Sequence, residues 1–124
     1  MGNEKLLYVD DEEINLQLFE LNFRNNYDLI TCANPIEALK IIENENLKVV
    51  ITDYKMPFLN GMQLIEKIKL VKPNIVCIIL SGFMESDVVT DKSKVFRYIM
   101  KPYKKDNILS ELKEAFLLHS NSGL

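Results

Sequence analysis

Five short apolar runs punctuate the chain, at residues 6–9, 29–32, 49–52, 75–80 and 98–100. They are rich in β-branched residues and mostly unbroken, not alternating. Unbroken runs of strand length predict strands covered on both faces. Between them the apolar residues change to helical spacing. Ile14, Leu18 and Leu21 follow i, i+4, i+7; Ile36, Leu39 and Ile42 rise by threes, as do Met62, Ile65 and Ile68; Ile108, Leu112, Ala115 and Phe116 give i, i+4, i+7, i+8. Each set predicts a one-sided amphipathic helix. Asn34-Pro35 with Glu37 reads as a helix start, with a cap, a first-turn proline and an acid at the third position. The fourth helix is the weakest: residues 84–94 offer only Val88 and Val89 as an apolar pair, so it should be short and loosely held.

A strand-helix unit repeated five times implies a parallel sheet with helices on both faces. The length, 124 residues, fits a single domain over 1–124, and the polar tail 119–124 reads as a frayed end or the start of a cut linker.

Polar residues interrupt the apolar runs at a common place. Asp10 and Asp11 end the first strand, Asp53 the third, Ser81 the fourth and Lys101 the fifth. Parallel strands all end on one edge, where open α/β sheets bind their ligands. Singly, each residue has an ordinary reading: a helix cap, a turn, a solvated lysine. Four strands delivering chemistry to one edge is not explained that way. Three carboxylates this close repel by about 1–4 kcal/mol per pair, so a cation should join them, and an all-oxygen donor set suits Mg²⁺, with Mn²⁺ as the alternative. A carboxylate beside a divalent cation, an ammonium and a hydroxyl matches the needs of phosphoryl transfer to an aspartate.

Composition narrows the partners. Fifteen basic against 18 acidic residues leave a net charge of −3 without a basic patch, which argues against direct nucleic-acid binding. No apolar run reaches a membrane span and no secretory signal precedes Asp10, so a cytoplasmic location is expected. Cys32 and Cys77 sit in apolar runs and read as reduced core thiols. His119 reads as solvated, Lys104 and Lys105 as a solvated helix start, and Met56, Met62, Met84 and Met100 as packing residues.

These motifs resemble the receiver domain of two-component response regulators over essentially the whole chain, from residue 6 to about 118. The match is carried by the acidic pair in LLYVDDE, by Asp53, Met56-Pro57 and Gly61 in TDYKMPFLNG, by Ser81-Gly82 after IVCIIL, and by Tyr98 and Lys101-Pro102 in RYIMKP. The resemblance implies a flavodoxin-like doubly wound (βα)5 three-layer α/β sandwich with parallel sheet order 2-1-3-4-5. It implies Asp53 as phosphoacceptor and a Mg²⁺ site made of Asp11, Asp53, Asp10 through water, and the Lys55 carbonyl. Ser81 and Lys101 would contact phosphoryl oxygens, Tyr98 would be the aromatic switch, and Lys101–Pro102 would be cis. Pro57 and Gly61 would be structural.

The implied function is that of a signalling phosphoacceptor, not an enzyme in the ordinary sense. A histidine kinase or histidine phosphotransfer protein would supply the phosphoryl group, biasing the face made by the fourth helix, fifth strand and fifth helix. That face would control an unidentified output domain or partner; a homodimer through it is left open. Lys55 and Phe83, each two residues beyond a motif residue, are atypical and imply slow self-dephosphorylation.

Rival readings fit less well. An aspartyl phosphatase of the haloacid dehalogenase type needs Asp-x-Asp, and here the acids are adjacent. A flavodoxin-like electron carrier needs a phosphate loop where Asp10-Asp11-Glu12-Glu13 would repel the flavin phosphate. A receiver-like module that binds without being phosphorylated is opposed by the presence of Asp53 and Lys101.

Overall fold

The computed structural model describes residues 3–122. The elements run β1 (Lys5–Val9), α1 (Glu13–Phe23), β2 (Asp28–Cys32), α2 (Pro35–Asn44), β3 (Val49–Thr52), α3 (Gly61–Val71), β4 (Val76–Ser81), α4 (Glu85–Val88), a 3₁₀ turn (Lys92–Lys94), β5 (Arg97–Met100) and α5 (Lys105–Ser122). The five strands form one parallel sheet in the order β2-β1-β3-β4-β5, the flavodoxin-like arrangement expected from the sequence.

Strand parity sorts the core into two layers. Leu6, Tyr8, Val49, Ile51, Ile78 and Leu80 face α1 and α5. Leu7, Val9, Val50, Cys77 and Ile79 face α2, α3 and Val88 of α4. Both faces being covered is why the strands read as unbroken apolar runs. Cys32 and Cys77 are buried free thiols, and burial pushes the Cys77 thiol up to about 12.

Helix starts follow local chemistry. The Asn34 side chain accepts from Ile36 N–H at 2.7 Å and Glu37 N–H at 3.3 Å, with Pro35 in the first turn of α2. Asn60 and Gln63 form a reciprocal capping box at α3, at 2.8 and 2.9 Å.

Several expectations need correction. On α1, Ile14, Leu18 and Leu21 are 59%, 49% and 60% exposed, while Leu16, Phe19 and Phe23 pack inward. This helix is apolar on more than one side, and the aromatic stripe won because Phe19 stacks on Tyr8 with ring centroids 4.0 Å apart. On α2, Ile36 is exposed and Pro35, Ala38 and Ile42 are buried. Met56 and Met62 are packed, but Met84 and Met100 are exposed. The stretch 119–122 is not a frayed tail: α5 continues to Ser122, and Ser120 Oγ donates to the Phe116 carbonyl at 3.1 Å. The remainder of that predicted tail, Gly123 and Leu124, lies outside the described residues. His119 is half-buried on α5, and desolvation, then Lys48, hold its imidazole below the usual range. The fourth helix is short as expected, one turn followed by the 3₁₀ turn.

Candidate functional site

The sheet's hydrogen bonds run one residue past the strand ends and fix the backbone of the site. Asp10 N–H donates to the Cys32 carbonyl at 3.1 Å, Asp53 N–H to Val9 at 2.8 Å, and Lys101 N–H to Ser81 at 2.9 Å. The side chains beyond these bonds therefore start from rigid positions at the carboxyl edge, beside the switch point between β1 and β3.

Asp10, Asp11 and Asp53 each offer a carboxylate oxygen within 4.8 Å of the other two. Asp10 and Asp53 are buried and Asp11 is exposed. Asp10 is the best anchored: Tyr8 hydroxyl donates to Oδ2 at 2.7 Å and Glu12 N–H donates to Oδ1 at 3.0 Å. Tyr54 N–H donates to Asp53 Oδ1 at 2.8 Å. Lys101 Nζ reaches both buried acids, 3.3 Å from Asp10 Oδ2 and 3.5 Å from Asp53 Oδ1. Burial raises the Asp53 carboxyl above its ordinary value; Lys101 opposes this and Asp10 adds to it. Burial, reinforced by the Asp10 carboxylate, drives the Tyr8 phenol upward, so it stays a proton donor.

Three carboxylates face one ammonium, leaving a net charge of −3 + 1 = −2 around a half-buried point. Hard oxygen donors carrying that charge fit a divalent cation such as Mg²⁺. They open on a cleft of about 560 Å³ lined by Asp11, Glu12, Asp53, Lys55, Met56, Pro57, Gly82, Phe83 and Lys101.

Ser81 is buried at the end of β4, and its Oγ accepts from Phe83 N–H at 3.1 Å. Tyr98 on β5 donates its hydroxyl to the Phe83 carbonyl. The Lys101–Pro102 peptide is cis, as expected. Gly61 opens α3 against the β3 end: a Cβ there would lie 2.3 Å from the Asp53 carbonyl oxygen, and its N–H donates to Tyr54 at 2.7 Å. Only glycine permits that approach.

Asp11, Asp53, Lys55, Pro57 and Lys101 thus line one cleft, with Asp10 and Ser81 bonded to residues that line it. Two neighbours were not singled out. Tyr8 holds Asp10, and the signal was available, because residues two apart on a strand share a face. Tyr54, next to Asp53, meets Phe83 edge-on, with centroids 5.8 Å apart and an angle of 69°. No pattern along the chain links positions 54 and 83.

A doubly wound sheet with an acidic cation site beside a lysine and a serine defines the class: a flavodoxin-like fold built around an acidic pocket. Within that class the chain belongs to the response regulator receiver domains, whose family model matches residues 6–113. Phosphorylation and Mg²⁺ binding at such a pocket are typical of this family, whose members act as signalling phosphoacceptors in two-component systems. The chain is 31% identical to sporulation initiation phosphotransferase F of Bacillus subtilis, covering 98% of this chain and 100% of that one. It is 28% identical to a chemotaxis protein CheY homologue of Campylobacter jejuni, covering 96% and 97%. It spans only 24% of the hydrogenase transcriptional regulatory protein HoxA of Bradyrhizobium diazoefficiens, at 27% identity. Among solved structures, a CheY-like receiver domain protein from Methanospirillum hungatei superposes with a TM-score of 0.89 at 27% identity, covering 98% of this chain and 100% of that one. The response regulator TrrA of Thermotoga maritima, solved with Mg²⁺ and BeF, gives 0.83 at 26% identity, covering 90% and 98%. Among the described residues no helix is long and apolar enough to cross a membrane.

Proposed function

We propose that this chain accepts a phosphoryl group on Asp53 from a phosphohistidine of a histidine kinase or histidine phosphotransfer protein. The observation that carries this reading is Lys101 Nζ, placed 3.5 Å from Asp53 and 3.3 Å from Asp10 within a three-carboxylate cluster. An Asp53 oxygen attacks phosphorus in line with the donor imidazole. The P–N bond breaks as the P–O bond forms, and the imidazole leaves neutral, keeping the proton already on its other ring nitrogen. Asp11, Asp53, Asp10 and the Lys55 carbonyl would hold Mg²⁺, and the bound ion would supply positive charge for the phosphoryl oxygens. Lys101 exchanges its carboxylate contacts for one phosphoryl oxygen, and Ser81 donates to another.

The product adds negative charge beside the loop that carries Ser81 and Phe83. Because Tyr98 is bonded to that loop, a change at Ser81 reaches β5 and the face made by α4, β5 and α5. That face controls the output domain or partner. On it, Arg97 is engaged within its own chain, 3.0 Å from Glu111 and 3.2 Å from Glu114. Phe83 and Lys55 both line the cleft, consistent with slow loss of the phosphoryl group.

The test is intact-mass spectrometry after incubation with acetyl phosphate and Mg²⁺. One phosphoryl adduct is expected, absent without Mg²⁺ and absent in Asp53→Asn. Unmodified wild type that also fails to bind beryllofluoride would overturn the proposal and leave a binding module.

A further inference from the structure

Three contacts converge on Phe83. Its N–H donates to Ser81 Oγ at 3.1 Å, its carbonyl accepts from Tyr98, and its ring meets the edge of Tyr54 at 5.8 Å. The two rings are held very differently. Tyr54 follows Asp53 directly, donates its own N–H to Asp53 Oδ1, and packs half-buried on the core layer beneath α2 and α3. Phe83 is 46% exposed and sits in the loop between β4 and a helix of only four residues. At Gly82, beside it, a Cβ would meet nothing within 4 Å, so neighbours do not wall this loop in. Tyr54 is therefore the fixed ring and Phe83 the ring it restrains. Phe83 lines the same cleft as Asp53, with Asp11, Glu12, Lys55 and Lys101.

We propose that Tyr54 is a positioning residue: its ring holds Phe83 across the rim of the cleft, and the closed pair sets how long a phosphoryl group survives on Asp53. This rests on the reading of Asp53 as phosphoacceptor. In the loss reaction a water oxygen bonds to phosphorus and the bond from phosphorus to the Asp53 oxygen breaks. Asp53 recovers its carboxylate, and inorganic phosphate and a proton are released. An apolar ring on the rim takes the place of water on one side of that approach, and edge contact with a fixed ring keeps it there.

The experiment follows the decay of the acetyl phosphate adduct by intact mass in the full chain, with Mg²⁺ removed from donor by rapid desalting and then restored. Tyr54→Ala shortens the half-life by about threefold or more, the scale of one aromatic edge contact. Tyr54→Phe, which keeps the ring, retains the wild-type half-life. Phe83→Ala shortens it at least as much, and in that background Tyr54→Ala adds nothing further. Melting temperature is read in parallel: it falls in Tyr54→Ala with or without the Phe83 ring, whereas the lifetime effect needs that ring. Tyr54→Leu replaces Tyr54→Ala should the latter not fold. An unchanged half-life in the ring-deleted variant overturns the proposal, and so does an equal drop in both backgrounds. Absence of any adduct on the wild type, together with failure to bind beryllofluoride, instead overturns the Asp53 reading itself.

Discussion

Lys101 is bonded more closely to Asp10 than to Asp53, at 3.3 Å against 3.5 Å. Asp10 is the acid with no exposure at all, so the lysine serves first as counter-ion to a buried carboxylate. Lys101→Met leaves Asp10 with its bonds from Tyr8 and Glu12 but without a cation. A loss of about 2–3 kcal/mol is expected in urea unfolding without divalent ions. Mg²⁺ then restores more stability to the variant than it adds to the wild type.

Gly61→Ala is expected to be far more damaging than a surface alanine. The new Cβ would meet the Asp53 carbonyl oxygen at 2.3 Å, and backbone cannot rotate aside as a side chain can. Relief means moving α3 or the β3 end, costing about 2 kcal/mol or more. Because the β3 end carries Asp53, adduct formation should slow together with the fall in melting temperature. A variant with wild-type values for both would contradict the close approach.

Phe58 should respond in the opposite direction. Its φ is 75°, Leu59 N–H donates back to the Pro57 carbonyl at 2.9 Å, and its ring is 79% exposed. This is the strained form of the γ-turn, held by a bulky side chain that buries little. Phe58→Gly removes the strain at the cost of extra backbone entropy, for a net gain of about 0.5–1 kcal/mol. Chemical denaturation measures it directly.

Much of the fold was legible because strands covered on both faces write unbroken apolar runs, and because polar residues stop those runs at one edge. The inward face of α1 was not, since Ile14, Leu16, Leu18, Phe19, Leu21 and Phe23 supply apolar side chains on several sides. Stacking of Phe19 on Tyr8 and the contacts of Phe19 and Phe23 with Tyr103 decide between them. Within the site, Asp10, Asp53, Ser81 and Lys101 announced themselves by position, whereas the Tyr54–Phe83 contact exists only once β3 and β4 lie side by side. The α1 assignment has its own test. Phe19→Ala should cost about 3–5 kcal/mol, and Leu18→Ser should stay within about 0.5 kcal/mol of wild type.

The acidic cluster should make the protein less stable than it could be, with a pH signature that identifies the residue responsible. Burial raises the Asp53 carboxyl above its ordinary value of 3.8, against the pull of Lys101 and with Asp10 adding to the rise. The folded state then holds the Asp53 proton more tightly than the unfolded chain does. Its favourable contribution is complete below 3.8 and is lost as pH rises through the higher folded value. Near neutral pH the ionised Asp53 is thus a burden on the fold, and Asp53→Asn, which keeps the shape and removes the charge, should relieve it. A higher melting temperature than wild type is expected at pH 7 without divalent ions. The advantage should shrink as pH falls from the raised folded value toward 3.8, the range over which the folded wild-type carboxyl takes up its proton. Adding Mg²⁺ at pH 7 should narrow the gap from the other side, because the wild type keeps the full set of three carboxylates for the ion and the variant has two. Melting curves of both proteins across pH, with and without Mg²⁺, measure all three trends; a gap that is constant with pH would show that the Asp53 charge is not the source of the instability.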